Sequence, residues 1–133
     1  MIHIKYRLDR SQIHGIGLFA DQDVKKGDTI FTDEPLLDVN ITEKQFTSLN
    51  KSTQKEILYW GYFDKQNQKW HVDFDHIHFI NHSFNPNMTQ DMTRSDVLLV
   101  SSRDIRAGEE LTQNYLEFEN EDDLIRRGIN IKN

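Results

Sequence analysis

Phe79-Ile80-Asn81-His82-Ser83-Phe84-Asn85-Pro86-Asn87 sets a dense run of amide, imidazole and hydroxyl groups directly behind an apolar pair. An asparagine beside backbone groups can read the edge of an adenine, which presents both a donor and an acceptor. The same residues also suit an Asn/Pro turn whose side chains cap their own backbone, and local chemistry alone favours that turn. Downstream lies Gly108-Glu109-Glu110-Leu111-Thr112-Gln113-Asn114-Tyr115, a turn that delivers a short strand ending in tyrosine. Taken singly, such a tyrosine reads as a core residue with a satisfied polar tip. Upstream lies His14-Gly15-Ile16-Gly17-Leu18-Phe19-Ala20. Two glycines flanking one residue permit positive φ or a close backbone approach to a ligand. A tight turn or bulge is the simpler reading of that pair by itself. It is not a dinucleotide fingerprint, because the third glycine and the following helix are missing.

The rest of the chain reads as short strands bounded by turn residues. Lys25-Lys26-Gly27-Asp28 turns into Thr29–Phe31, and Pro35 opens an apolar stretch from Leu36 to Ile41. Tyr59–Phe63 and Lys69–Phe74 flank Asp64–Gln68 as a hairpin, and Val97–Ser101 has strand length. Thr42–Tyr62 is expected to be helical, with Phe46, Leu49, Ile57 and Leu58 at near-helical spacing and Thr42 as the cap. A second short helix is expected over Asp122–Arg127, stopped by Gly128. The expected fold class is mainly β, with one helical insert at about 42–62.

At 133 residues the chain is expected to form a single domain that buries its own core. Hydrophobic residues make up 36% and charged residues 29%, a globular balance rather than a disordered one. Cysteine is absent, which removes disulfides, cysteine nucleophiles and thiolate zinc sites together. The net charge is −6, with acids gathered at Glu117, Glu119, Glu121, Asp122 and Asp123. Direct binding to nucleic acid rests on basic patches, so it is not expected here, whereas a basic protein or peptide suits the acidic field. No apolar run reaches membrane-spanning length and the N-terminus lacks a signal-peptide pattern, so no membrane association is expected. The expected compartment is the cytoplasm, or a nucleus, that of a host included.

The order G-x-G-L-F-A, then F-I-N-H-S-x-x-P-N, then G-E-E-L-T-x-x-Y resembles the SET-domain family of protein lysine methyltransferases. Lys69–Phe74 also looks like the strand that precedes the N-H-S segment in that family, and the resemblance runs from about Ile13 to Tyr115. It implies a fold of several short sheets, β-clip-like, with a knot-like crossing near the C-terminal end. It implies S-adenosylmethionine as methyl donor and a lysine-bearing protein or peptide, histones among them, as substrate. Carried onto this sequence, Gly15, Ile16 and Gly17 contact the donor's methionine part, and Asn81 and His82 hold its adenosine end. Tyr115 lies beside the reacting amine as the catalytic residue, and no metal is called for. Free lysine titrates near ~10.4, and burial beside a positive sulfonium lowers that value. Tyrosine titrates near ~10, so Tyr115 is expected to orient the amine rather than act as a simple base.

The chain departs from the family pattern at Asn114, Phe84 and Gln113. Gln113 replaces an aromatic residue at the position that limits methyl number, and is expected to line the lysine channel. The cysteine-rich segment that follows the domain in many members has no counterpart in these 133 residues, so a minimal, stand-alone member is expected. Phe118 is the candidate for stacking on adenine, with Leu124–Ile131 as a lid in a tail over 119–133; ordinary packing is the competing reading of Phe118.

Two other readings compete. Gln113 and Asn114 motivate a SET-like module that binds a peptide or the donor without catalysis. His71, Asp73, Asp75, His76, His78 and His82 invite a metal site, and His71-Val72-Asp73 matches the H-x-D part of a facial triad. The histidine that such a triad takes from further along the chain is missing, since none follows His82.

Overall fold

Turn chemistry and alternating burial shape a mainly β structure, described here for residues 1–131 from a computed structural model. In chain order the strands are β1 (Tyr6–Arg10), β2 (Ile16–Ala20), β3 (Thr29–Thr32), β4 (Val39–Ile41) and β5 (Tyr62–Asp64). They continue as β6 (Lys69–Val72), β7 (Asn81–His82), β8 (Met88–Gln90), β9 (Leu98–Ser101) and β10 (Thr112–Gln113). The helices are α1 (Glu43–Ser48), α2 (Lys51–Trp60) and α3 (Glu121–Arg126), with 3₁₀ turns at His76–Phe79 and Tyr115–Glu117. These elements form two compact units. One comprises Met1–Asp33 with Asp75–Glu117, the other Glu34–Phe74 with the residues from Phe118 onward.

In the first unit β1 and β2 pair antiparallel, with Tyr6 opposite Ala20 and Arg10 opposite Ile16. The connection between them folds on Ser11, whose N–H donates to Gly15 O (2.9 Å) and whose Oγ accepts the N–H of Ile13 (2.8 Å). Strand alternation sends Leu18 and Ala20 inward from β2. A three-stranded antiparallel sheet runs in the order β3-β9-β8. Leu18, Ile30, Met88, Leu99, Ile105 and Leu111 close the core between these elements. Burying each such side chain contributes roughly 1.5–3 kcal/mol, which holds the turns and loops around it in register. The third sheet is a parallel pair, β7 with β10, setting Thr112 beside Asn81 and Gln113 beside His82. Parallel neighbours so far apart in sequence require a long excursion between them, and here that excursion carries β8 and β9.

In the second unit β6 is central, in the order β4-β6-β5. Trp70 on β6 is fully buried and stacks on Phe46 of α1 at 4.5 Å between ring centroids. The indole Nε1–H, which needs an acceptor once buried, donates to Glu43 (2.6 Å). The guanidinium of Arg126 on α3 lies 5.1 Å from the Phe46 ring and 5.0 Å from that of Trp70. The helical segment is two helices rather than the continuous one expected. Thr42 and Gln45 form a reciprocal capping box for α1, and the chain turns extended at Leu49. Asn50 then accepts the N–H of Thr53 (2.9 Å) and starts α2 afresh. A strong cap residue inside an apolar period ends one helix and begins another. The C-terminal helix forms over Glu121–Arg126, followed by Gly128, as its composition suggests. Among the described residues no helix is long and apolar enough to cross a membrane.

Candidate functional site

The three sequence segments around Gly15–Gly17, Asn81–His82 and Tyr115 all fall in the first unit, where a polar network joins them. Gly15 adopts φ +52°, which lets the loop turn its carbonyl back to Ser11. Gly17, the second residue of β2, lies directly beside the carboxylate of Glu110, whose Oε1 and Oε2 accept from Ser11 Oγ at 2.8 and 2.9 Å. Asn81, buried on β7, donates its side-chain amide to Glu110 Oε1 (2.8 Å), His14 O (3.1 Å) and Ser11 Oγ (3.1 Å). One asparagine side chain therefore ties the glycine loop to the segment that leads into β10. Asn87, from the same N-H-S-x-x-P-N run, accepts the N–H of Thr112 (2.9 Å) and donates to Glu110 O (2.8 Å), pinning that segment from the other side.

His82 and Tyr115 form the second half of the site. The backbone N–H of Tyr115 donates to His82 Nδ1 (3.1 Å), and the two rings meet edge-on at 5.3 Å. Because Nδ1 accepts, the neutral ring carries its proton on Nε2. That Nε2 is buried and has no hydrogen-bond partner among the described residues. Burial pulls the imidazole pKa down from its ordinary 6.5, so the neutral form is favoured. The Tyr115 hydroxyl donates to the carbonyl of Ile80, and the ring packs on the core of the unit. A phenolic oxygen that donates its proton is by its chemistry also a hydrogen-bond acceptor.

Gln113 is 3% exposed and its amide donates to Glu117 Oε2 (2.9 Å). The same carboxylate accepts from Thr89 Oγ1 (2.8 Å) and Gln90 N (3.1 Å), so the polar end of Gln113 is held in a satisfied network. Phe118 belongs to the second unit, where its ring packs on Tyr62 at 4.5 Å and its carbonyl accepts the N–H of Lys65 (3.0 Å). Ser11 and Glu110 are polar partners that motif reading missed. Glu110 stood in the G-E-E-L-T run but carried no signal of its own, and Ser11 is an isolated serine.

The His/Asp-rich stretch is divided. Asp75 caps the 3₁₀ turn through Ile77 N (3.1 Å) and accepts from Ile2 N (3.0 Å), and His76 Nδ1 meets the Tyr6 hydroxyl (3.0 Å), all within the first unit. His71 and Asp73 lie in the second unit, together with Asp38.

S-adenosylmethionine offers ring-nitrogen acceptors on adenine and a polar amino-acid end. The residues present fit that chemistry. His82 holds a buried N–H lacking an acceptor, and a Cβ built on Gly15 meets nothing within 4 Å, so the loop's backbone is open on that side.

Comparison with known proteins bears on the same residues. The family model described as SET domain matches residues 15–116. No curated protein matches the chain. Among solved structures, the chain is similar to ctPRC2 in an autoinhibited conformation bound to S-adenosylmethionine, at 22% identity and a TM-score of 0.64 over 94% of this chain and 17% of that one. It is also similar to Chaetomium thermophilum Polycomb Repressive Complex 2 bound to GSK126, at 20% identity and a TM-score of 0.67 over 92% of this chain and 17% of that one. An active polycomb repressive complex 2 in the basal state matches at 22% identity and a TM-score of 0.63, over 84% and 15%. The chain thus spans less than a fifth of the length of these structural relatives, and at such identities they share its fold. With the family model covering most of the sequence, including the segments around Gly15–Gly17, Asn81–His82 and Tyr115, the chain belongs to the SET-domain family.

Proposed function

We propose that this chain transfers a methyl group from S-adenosylmethionine to a lysine side chain of another protein. The observation that carries this reading is the side-chain amide of Asn81, which bonds both the glycine loop at His14 O and the Glu110 carboxylate. Three segments spread over a hundred residues are thereby held at one place. In this reading Gly15, Ile16 and Gly17 face the donor's methionine part through their backbone, and Asn81 and His82 hold its adenosine end, with the Nε2–H of His82 as a hydrogen-bond donor. When bound, the donor supplies a methyl group already activated on a sulfonium.

Tyr115 is assigned the catalytic role. Its hydroxyl proton is engaged by Ile80 O, so its oxygen accepts from the lysine amine and aims the nitrogen lone pair. The apolar residues packed against the Tyr115 ring exclude water, and an amine brought there loses solvation and with it part of its affinity for a proton. Gln113, whose backbone lies beside His82 in the parallel pair, is assigned to the wall of the lysine channel. The substrate segment is expected to be basic, because the chain carries −6 and such a surface attracts cationic partners. Histone tails have that character, and the working compartment is the cytoplasm or a nucleus.

Transfer of tritium from labelled S-adenosylmethionine into a histone mixture and into a cell lysate tests the reading. The wild-type chain should label lysine in at least one protein, and Tyr115→Phe should lose roughly 10²-fold or more while still binding donor. Donor binding with no transfer to any protein would leave a binding module in place of an enzyme.

A further inference from the structure

We propose that Asp38, His71 and Asp73 form a binding site for one divalent cation of the zinc class, within the second unit and unrelated to methyl transfer. Each of the three offers one ligand atom, and these atoms lie within 4.8 Å of one another. His71 Nε2 is 3.0 Å from Asp73 Oδ1 and 3.9 Å from Asp38 Oδ2. Bonds of ~2.0–2.1 Å at tetrahedral angles place ligand atoms about 3.4 Å apart, and the two separations bracket that edge. A cation can be accommodated by small side-chain rotations.

The fold prepares the imidazole for this role. His71 lies on β6 directly across from Asn40 on β4, and its Nδ1 is 2.8 Å from Asn40 Oδ1. With Nδ1–H donating to the amide carbonyl, the ring is oriented so that Nε2 faces both carboxylates and donates to Asp73 Oδ1 (3.0 Å), a proton that a bound cation would replace. That outer hydrogen bond is the usual partner of a metal-binding histidine. The Tyr62 ring, 5.1 Å from the imidazole, walls the other side and restricts its rotation.

The carboxylates are held from behind as well. Asp38 accepts the N–H of Glu34 through Oδ2 (2.8 Å) and that of Phe74 through Oδ1 (3.1 Å). Each oxygen keeps a lone pair for a cation. The Asp38 side chain is 3% exposed and that of Asp73 11%. Two carboxylates buried side by side repel, and in this structure the His71 ring lies against both as their ion-pair partner. A divalent ion cancels both charges and leaves the imidazole neutral. One nitrogen and two oxygens suit zinc and its first-row neighbours, and three protein ligands leave a coordination position for water.

The test uses the full chain, stripped with a chelator and titrated with zinc chloride by calorimetry. One ion per chain is expected. His71→Gln and Asp73→Asn should each weaken binding more than tenfold, and Asn40→Ala roughly 10–100-fold through loss of the orienting bond. His3→Gln, an exposed histidine elsewhere, should leave it unchanged. Should a variant fail to fold, nitrogen NMR of the wild-type imidazoles decides the matter, since one equivalent of zinc should shift the His71 ring nitrogens. Absence of heat and of any shift in the wild type overturns the proposal. So does binding that persists in His71→Gln or that moves only the other histidines.

Discussion

Gly17 and Glu110 stand so close that a Cβ on Gly17 would lie 2.2 Å from Glu110 Oε1 and 2.8 Å from its Cδ. The carboxylate is not free to move aside, because Ser11 and Asn81 both donate to it. Gly17→Ala is therefore expected to push Glu110 off both donors. Stability should fall by about 1–3 kcal/mol and affinity for S-adenosylhomocysteine by about tenfold or more. Thermal unfolding and calorimetric titration with that product check the two effects. A variant with wild-type values in both would mean that the close approach has no role.

His82 gives an acid-side limit to donor binding. Burial lowers its pKa below the ordinary 6.5, and the neutral ring accepts the Tyr115 N–H at Nδ1. Protonation would set an N–H against that N–H. Ring titration followed by NMR should place the His82 midpoint below 6.5, and donor affinity should fall as pH drops through that midpoint. In His82→Gln the acid-side loss should vanish even if affinity is lower throughout.

Glu119 predicts a folding stability that falls as pH rises. Its side chain is fully buried and ion-paired with Arg127, yet burial outweighs that attraction and pushes its pKa from 4.5 up to about 7. The folded state then holds a proton that the unfolded chain has released. This contribution is present below pH 4.5 and is lost as pH rises toward 7. A shift of that size corresponds to a change on the order of 3 kcal/mol. Urea unfolding across this range should show the fall, and Glu119→Gln should flatten it. An unchanged slope in the variant would contradict the assignment.

The segments that Asn81 joins were more legible in the sequence than the scaffold that carries them. The glycine pair, the Asn-His pair and Tyr115 were legible because each couples a rare local pattern to a fixed order. The turns at Gly27 and Gly108 were legible because they bound the strands that follow them. Strand β1, Tyr6–Arg10, was not, since four of its five residues alternate between partial and full exposure and three are charged. The strand pair of Asn81–His82 with Thr112–Gln113 spans only two residues on each side, too short for any period to appear. The break at Leu49–Asn50 was missed because apolar spacing continues across it, while one capping side chain decides it. Asp38 joins His71 and Asp73 only through the pairing of β4 with β6, which no linear spacing records.

The central claim is spatial: one donor lies against the glycine loop, Asn81, His82 and the hydroxyl of Tyr115. A crystal structure of the chain with S-adenosylhomocysteine tests it most directly. The account predicts the homocysteine part along the Gly15–Gly17 backbone, the adenosine end at Asn81 and His82 with the His82 Nε2–H engaged, and the sulfur facing the Tyr115 hydroxyl. S-adenosylhomocysteine bound elsewhere on the chain, or bound with Tyr115 remote from its sulfur, would contradict it.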